Sequence, residues 1–398
     1  METSGSSGIY DIYKSKKVLI TGHTGFKGSW LTLWLKELGA RVFGYALDPP
    51  TNPSLFELLD LEKEIDHEIG DVRDLEQLKK CIQRVKPDII FHLAAQSLVG
   101  KSYEEPLETI HVNTFGTVNL LEAVRQVGLG VAIVLITSDK CYENKEWVFG
   151  YRETDTLGGH DPYSASKAAT EVLISSWRNS FFNPDAIKEH GVRVASARAG
   201  NVIGGGDWSK NRIVPDCIRD LQNHTFISVR NPYSTRPWQH VLEPLSGYLQ
   251  LGAKLLGSSS EDAAFFCEAF NFGPHVTNNK NVKELVEEII ESWGSGSWKW
   301  ISPDKANYES GLLNLSIDKA YHKLGWLPKW NFSDTIARTV EWYQTVESHQ
   351  KFLHESTMIR DFTIKQIRAH QAARSISPQT LLAQEPTSNF LTKQFYEK

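Results

Sequence analysis

Cysteine is scarce in this chain of 398 residues: Cys81, Cys141, Cys217 and Cys267, with no C-x-x-C spacing. That argues against a disulfide framework and against a thiolate metal site, and no metal is expected; the four read as free thiols in a reducing compartment. Cys141 adjoins Lys140 but reads as a packed strand-end residue rather than a reactive thiol. No apolar stretch approaches the roughly 20 residues needed to cross a bilayer. The opening Met1 to Gly8 lacks the basic-then-apolar order of a signal peptide, so a cytoplasmic location is expected. A net charge of −5 and the absence of a long basic run argue against a nucleic-acid surface. There is no internal repeat. What remains is ordinary for a soluble globular protein, with 40% hydrophobic and 23% charged residues. The length suffices for a full core in one large or two smaller lobes. Twelve tryptophans is a high count; Trp30, Trp34, Trp177 and Trp342 fall in helical patterns and are expected in the core.

Strand and helix signals alternate through the first half. Strands are expected at Lys17–Ile20, Arg41–Tyr45, Ile65–Ile69, Asp88–Leu93, Val131–Ile136 and Val192–Arg198. Helices are expected over Gly28–Leu38, Leu75–Val85, Ile110–Gln126 and residues 164–183. Apolar strands with intervening helices predict an α/β fold, a doubly wound Rossmann-type parallel sheet covered on both faces. After a more irregular region come two helical patterns, near 281–293 and 334–346, which suggest a smaller mixed α/β substrate-binding lobe. The expected organisation is an N-terminal extension over 1–14, a dinucleotide-binding domain over 15–200, and a second lobe mainly over 201–350. A segment near 236–252 is expected to return to the first domain. Residues 351–398 are expected to form a helix and a loosely packed tail, polar with Pro and Ser from 376 onward.

Thr21-Gly22-His23-Thr24-Gly25-Phe26-Lys27-Gly28 joins the first strand to the first helix. In such a turn Gly22 permits the sharp bend, Gly25 lets the backbone approach a pyrophosphate, and Gly28 lets the helix pack closely. The anion rests on free amides at the helix N-terminus. A glycine triplet alone is weak; strand before and helix after make it specific. Asp48, in the loop after the second strand, is the candidate for the adenosine ribose hydroxyls. No arginine follows that strand directly, which favours NAD over NADP, although Lys27 would attract a 2′-phosphate. Asp71-Val72 suits adenine contacts, and Leu93-Ala94-Ala95 a small-residue bed for the cofactor.

Tyr163 and Lys167 lie at i and i+4, on one helix face. A phenol with a reference pKa of about 10 becomes a useful base only beside positive charge, which a lysine and an oxidised nicotinamide supply. The pair points to hydride chemistry on an alcohol. Asp139-Lys140, directly after the fifth strand, adds a second acid and amine, and with them a second reaction at the same site.

Together these stretches resemble an extended short-chain dehydrogenase/reductase acting on a nucleotide sugar, over roughly residues 15–345. The specific segments are Gly22–Leu31, Thr137-Ser138-Asp139-Lys140-Cys141-Tyr142, Arg198–Trp208 and Arg236-Pro237-Trp238-Gln239-His240-Val241. Many sugar-nucleotide dehydratases carry Asp-Glu where this chain has Asp139-Lys140; the lysine points to the branch of 4,6-dehydratases acting on CDP-glucose. The resemblance implies oxidation of the sugar C4 hydroxyl by Tyr163 and NAD, removal of the C5 proton by Lys140, and protonation of the departing C6 hydroxyl by Asp139. Hydride then returns to C6, giving CDP-4-dehydro-6-deoxy-D-glucose for deoxysugar synthesis, with O-antigen as one destination. Ser138 would hydrogen-bond the C4 oxygen, and Thr137, Tyr163 and Lys167 would face the cofactor. Gln96, Asn201, Arg212, Val214 and Arg236 fall at positions that face the nucleotide sugar, where guanidinium suits bidentate phosphate binding. The resemblance implies a homodimer or homotetramer paired through a helical bundle, with the helices near 110–126 and 164–183 as candidates.

The proposed chemistry carries its own difficulty. Lys140 acts as a base only when neutral and Asp139 as an acid only when protonated, the reverse of a simple ion pair; proton exchange within a coupled pair would meet it. Three positions depart from the branch pattern: Ser97 where Pro is usual, Gly100 where Arg is usual, and Ala165 where Asn is usual. The competing readings are a nucleotide-sugar 4-epimerase, a 4,6-dehydratase for another nucleotide, and a catalytically silent NAD-binding protein. An epimerase has no need of the acid-amine pair, and a silent relative no need of Tyr163, Lys167, Asp139 and Lys140 together.

Overall fold

A computed structural model describes residues 8–301, 312–349 and 355–375. Strands β1 (Lys17–Thr21), β2 (Arg41–Ala46), β3 (Asp66–Ile69), β4 (Ile89–His92), β5 (Ala132–Ile136), β6 (Arg193–Ala199) and β7 (Ala269–Phe272) form one seven-stranded sheet. All its pairings are parallel, in the spatial order β3-β2-β1-β4-β5-β6-β7. Side chains alternate between faces along each strand. Val18, Ile20, Phe91, Val134 and Ala195 enter one apolar cluster, while Leu19, Ile90, Ile133, Leu135 and Val194 enter the other. Both faces are covered, which is why these strands read as unbroken apolar runs.

Helices α1 (Phe26–Glu37), α2 (Leu75–Val85), α3 (Gly116–Val127) and α4 (Pro162–Ser180) follow strands β1, β3, β4 and β5. Trp30 and Trp34 of α1 are fully buried on the first face, and α2, α3 and α4 cover the second. Helix α5 (Leu242–Gly257) also lies on the first face, where the Tyr13 hydroxyl donates to Leu249 O at 2.6 Å. The strand order reverses between β1 and β4, and the crevice beyond the strand ends at such a point is where α/β sheets bind ligands.

One element differs from the sequence expectations. The long helix from Ile110 is interrupted: a short helix over Pro106–Ile110 passes through one wider π-type turn, His111–Phe115, before α3 begins at Gly116. A Cβ at Gly116 would sit 2.6 Å from Val72 Cγ2, so α3 approaches the end of β3 too closely for any side chain there. Beyond residue 350 lies helix α8 (Glu355–Ala372), packed against the main apolar cluster. Its Ile359 and Ile367 are 1% and 0% exposed, each burial contributing about 1.5–3 kcal/mol. Residues 376–398, the expected tail, lie outside the described residues.

The second half supplies short pairings: Val202–Ile203 with Gln239–His240, Thr235–Pro237 with Asn279–Asn281, and Ile227–Val229 with Trp298–Trp300. Helices α6 (Val282–Trp293) and α7 (Phe332–His349) complete it. Glu243 joins this region to the sheet. Its carboxylate accepts the backbone N–H groups of Lys329 (3.0 Å) and Trp330 (2.8 Å) and lies 3.2 Å from His370 Nε2 on α8.

Candidate active site

The glycine turn occupies the crevice where the strand order reverses. Gly22 has φ +76°, and a Cβ there would lie 2.7 Å from Ala94 N, at the end of β4. A Cβ at Gly28 would lie 2.1 Å from Gly22 O. These glycines fold the turn back on itself. Gly25 is the N-cap of α1 and supplies no side-chain cap, so the first amides of the helix stay available to an anion. A pyrophosphate fits this cradle.

The side chains of the turn diverge. The Thr24 hydroxyl donates to Leu47 O at 2.9 Å, and Phe26 packs against the main apolar cluster. The His23 ring is fully buried beneath the turn, 5.3 Å from Phe56 and 5.4 Å from His67 between ring centres. Burial pushes its pKa down to about 3, so the ring is neutral. Only the backbone of His23 belongs to the cradle. Lys27 points to the other end of the site, away from the expected 2′-phosphate position. Its ammonium lies 3.5 Å from the Tyr248 hydroxyl of α5, in the field of Arg212, Asp139 and Lys167. Burial first, then Arg212, brings its pKa down to about 8.

Asp48 is exposed just past β2. Asp71 follows β3, and its carboxylate receives Arg73 Nε at 2.9 Å and Nη2 at 2.5 Å. Arg73 in turn meets Glu108 at 2.5 Å. Neighbouring Val72 is buried, its carbonyl accepting from Asn119 Nδ2 at 3.1 Å. Leu93, Ala94 and Ala95 are half-buried after β4.

The reacting groups converge from β5 and α4. Asp161 caps α4, its Oδ1 accepting Ser164 N at 2.9 Å and its Oδ2 the Ser164 hydroxyl at 2.6 Å, with Pro162 in the first turn. That start places Tyr163 and Lys167 facing the end of β5. Tyr163 is 8% and Lys167 4% exposed, with Lys167 Nζ 6.0 Å from the Tyr163 ring centre. Burial pushes the Tyr163 phenol up to about 12, opposed by the nearby Ser138 hydroxyl and by Arg212. Burial lowers Lys167 to about 8, opposed by Glu171.

At the end of β5, Ser138 Oγ donates to Asp139 Oδ1 at 3.0 Å and accepts Lys140 N at 3.2 Å. Asp139 is 2% exposed. Burial holds its carboxyl above the ordinary carboxylate range, against the pull of Lys140, Ser138 and Lys27. A Cβ at Gly200 would lie 2.6 Å from Asp139 Oδ2, so the bare backbone of residue 200 makes room for the carboxylate. Lys140 is only half-buried and lines a cleft with Tyr142, Asn144, His160, Asp161 and Leu313. Among the described residues no salt bridge joins Asp139 to Lys140, and the direct side-chain partner of the carboxylate is Ser138.

Of the residues assigned to the diphosphate, Arg212 lies within the electrostatic reach of Tyr163. Its Nη1 donates to Asp207 at 2.8 Å and its Nη2 to the Ser97 hydroxyl at 3.0 Å. The Ser97 departure thus provides an acceptor that proline lacks. Asn201 is exposed after β6, and Val214 is buried in the helix that Arg212 caps. Arg236 sits half-buried on the Thr235–Pro237 strand. Gln96 is occupied elsewhere: its Nε2 donates to Leu98 O (3.0 Å) and Thr109 Oγ1 (2.9 Å), and its Oε1 accepts Leu98 N (2.6 Å). Gly100 faces open space, and Ala165 is exposed on α4.

Several participants escaped the sequence reading. Asn113 sits in the wide turn before α3 and ties the loop after β4 to α4, through Gln96 O at 3.0 Å and Ser166 Oγ at 2.9 Å. Tyr248 arrives from α5, far along the chain. Glu171 lies behind Lys167, where it accepts from Thr137 Oγ1 (2.5 Å), Ser196 Oγ (2.9 Å) and Arg198 Nη2 (2.8 Å). Thr137 therefore faces this buried pair with its hydroxyl. Glu171 did leave a signal, since it extends Tyr163 and Lys167 by another four residues along one helix face.

Comparisons with known proteins agree with this geometry. The family model described as GDP-mannose 4,6 dehydratase matches residues 19–339. The chain is 51% identical over 334 residues to a CDP-glucose 4,6-dehydratase of Salmonella typhimurium, covering 84% of this chain and 92% of the relative. Among solved structures it is similar to an epimerase from Methanothermobacter thermautotrophicus (TM-score 0.71, 23% identity, 86% of this chain and 96% of that one). It is also similar to a dTDP-glucose 4,6-dehydratase from Bacillus anthracis in complex with NAD (TM-score 0.67, 19% identity, 85% and 99%). At those identities the structural matches speak for the fold, while the matched family model spans most of the sequence, glycine turn, Asp139-Lys140 and Tyr163/Lys167 included; the chain belongs to the GDP-mannose 4,6 dehydratase family, within the extended short-chain dehydrogenases/reductases.

Proposed function

We propose that this protein is an NAD-dependent lyase that converts CDP-glucose to CDP-4-dehydro-6-deoxy-D-glucose. The observation that carries the reading is the buried carboxyl of Asp139 in the field of Tyr163, with the half-buried amine of Lys140 next to it in the chain. A 4-epimerase has no water to eliminate and no use for that doublet. The 51% identity to a CDP-glucose 4,6-dehydratase supports both the reaction and the cytidine nucleotide.

The Gly22–Gly28 turn and the first amides of α1 would hold the pyrophosphate of NAD, with Asp48, Asp71 and Val72 on the adenosine side and Leu93 to Ala95 lining its bed. When bound, NAD would supply the hydride acceptor for oxidation at C4 and the hydride donor for reduction at C6. Tyr163, as phenolate, takes the C4 hydroxyl proton, and Ser138 hydrogen-bonds the same oxygen. Lys167 and Arg212 place positive charge near the phenolate. With C4 a ketone, the C5 proton is acidic and Lys140 removes it, while Asp139, which burial favours in its neutral form, protonates the leaving C6 hydroxyl. Lys140 then returns a proton to C5. Arg212 and Arg236 hold the diphosphate. The exposed apolar residues Leu107, Phe115, Val172 and Phe181 support pairing of two copies through the helices that carry them, which light scattering of the purified protein checks.

Incubation with CDP-glucose in deuterated water tests the assignment. The expected product is a 4-keto-6-deoxy sugar carrying deuterium at C5, formed without added NADH. Inversion at C4 alone, or no turnover of any nucleotide-linked glucose, would overturn it. Lys140→Ala is expected to retain C4 oxidation and lose dehydration; full dehydration by this variant removes Lys140 as the base.

A further inference from the structure

Asp139 and Lys140 sit in one tight turn between Thr137 and Tyr142, and both ends of that turn are tied to the same buried guanidinium, Arg198 on β6. At the near end the Thr137 hydroxyl donates to Glu171 Oε1 at 2.5 Å, and Glu171 Oε2 accepts Arg198 Nη2 at 2.8 Å. At the far end Arg198 Nη1 donates to the Tyr142 hydroxyl at 2.8 Å. The guanidinium also lies over the Tyr142 ring, 5.1 Å from its centre. Arginine suits this arrangement because its planar fork holds two acceptors in a fixed relation. Asn271 completes the far anchor. It is the register partner of Arg198 on the adjoining strand β7, and its Oδ1 accepts from the Tyr142 hydroxyl at 2.8 Å. That hydroxyl gives its one hydrogen to Asn271 and receives from Arg198. Asn271 is itself fixed, its Nδ2 donating to Tyr151 O at 2.8 Å and Ser316 O at 3.2 Å.

Between these anchors the turn holds itself weakly. Lys140 N reaches Ser138 Oγ and Cys141 N reaches Ser138 O at 3.2 Å, and Tyr142 N reaches Asp139 O at 3.3 Å. Such bonds are commonly about 2.9–3.0 Å long. The anchors are shorter and dry: Thr137, Tyr142, Glu171, Arg198 and Asn271 are each 5% exposed or less. In such surroundings hydrogen bonds are strong and an unpaired donor is costly. Tyr163 is placed by other means. The Asp161 cap fixes the start of α4, and Tyr163 with it, by hydrogen bonds that do not pass through Tyr142.

We propose, resting on the roles given above to Asp139 and Lys140, that Arg198 is a positioning residue for the elimination of water, its fork holding both ends of the turn that carries the acid and the amine. One prong sets Thr137 through Glu171, and the other sets Tyr142. Arg198 takes part in no proton transfer; it acts through the backbone that its partners anchor. Elimination needs an acid and a base aligned at once on neighbouring carbons, where a displacement of about 1 Å costs about 100-fold. Oxidation at C4 draws on Tyr163 and Lys167, which α4 carries. Ser138, assigned to the C4 oxygen, adjoins the Thr137 anchor and stays in place when the Tyr142 end is released. Release of that end alone therefore slows elimination and spares C4 oxidation.

Two variants release that end. Tyr142→Phe keeps the ring over Arg198 and removes the shared hydroxyl. Arg198→Lys keeps a cation for Glu171 but lacks the second prong. Stopped-flow absorbance of reduced nicotinamide and rapid-quench product analysis with CDP-glucose separate the two steps, with circular dichroism and bound NAD content as the check on folding. Each variant is expected to oxidise C4 at the parent rate and to accumulate a 4-keto sugar that retains its C6 hydroxyl. Dehydration should slow by about 10- to 100-fold. Because both changes break one hydrogen bond, the double variant should be no slower than the slower single one. Equal slowing of both steps would overturn the proposal and leave Arg198 as a structural ion-pair partner only. Dehydration at the parent rate, or losses that multiply in the double variant, would overturn it as well. Should either single variant fail to fold, the other decides by the same split between steps. Failure of the unmodified enzyme to dehydrate CDP-glucose at all is a separate outcome, and strikes the assigned reaction.

Discussion

Glu171 and Asp139 are carboxylates with almost no solvent exposure, 3% and 2%, within one frame of β5, β6 and α4, yet their surroundings shift their pKa values in opposite directions. Glu171 accepts from Thr137, Ser196 and Arg198, and although burial works to raise its pKa, Arg198 and those hydroxyls hold it below the ordinary value. Asp139 accepts one side-chain hydrogen bond, from Ser138, and its cations act from farther away; there burial wins and its pKa rises. The difference teaches that donors in contact, rather than burial or nearby cations alone, decide whether a buried acid is structural or reactive. The saturated pair behind the helix holds Lys167 and Thr137 in place. The undersatisfied acid in front binds a proton more readily than an ordinary carboxyl does.

Substitutions should separate the two, and the largest effect is on catalysis. Asp139→Asn is expected to lower the dehydration rate by about 10²- to 10⁴-fold without loss of stability. The sign follows from the raised pKa: the native state binds that proton more tightly than the unfolded chain, so stability falls as pH rises past the unfolded carboxyl pKa. The neutral amide removes this term, and Tm of the variant at neutral pH should equal or exceed that of the parent. A Tm well below the parent would break the comparison.

Next in size is Glu171→Gln, which leaves Arg198 buried with its charge uncompensated. The expected loss is about 3–5 kcal/mol of folding stability, read by denaturant titration. A variant as stable as the parent would show that Arg198 finds its charge balance elsewhere.

The smallest effect concerns Lys167, lowered by burial to about 8. A lysine whose native pKa lies below its unfolded value of about 10.4 costs stability in full below pH 8, and the cost disappears as pH rises towards 10.4. Lys167→Met should therefore stabilise the fold at pH 7 by at most about 3 kcal/mol, with the gain fading between pH 8 and 10.4. A gain that does not change with pH would place its origin in packing rather than charge.

The legible part of the molecule is the part written locally. Unbroken apolar runs and helical spacing marked the strands and helices of the sheet, and the i, i+4 rule set Tyr163 and Lys167 on one face. What local pattern does not carry is which distant side chain arrives at a shared point. Tyr248 comes from α5 and Asn113 from a turn whose wide geometry has no compositional mark. Lys27 reads from spacing as a neighbour of phosphate, yet its long stem reaches the reaction end of the crevice. The docking of α8 is hidden for the same reason: it buries His370, Thr363 and Gln366 among the apolar residues, and Thr363 and Gln366 meet Trp342 and Arg338, partners too distant for any window to see.

That last helix has a consequence in time. His370 closes over Trp34, with ring centres 5.7 Å apart, and reaches Glu243, while Arg360 and Arg368 grip Glu64 and Glu37 at 2.6 and 2.8 Å. Trp34 and Glu37 belong to α1, the helix whose first turn forms the cradle. A ribosome delivers the glycine turn early and these clasps more than 300 residues later. A nascent chain halted before residue 360 has every catalytic side chain in place along its length, but the outer side of α1 stays bare until the final helix is made.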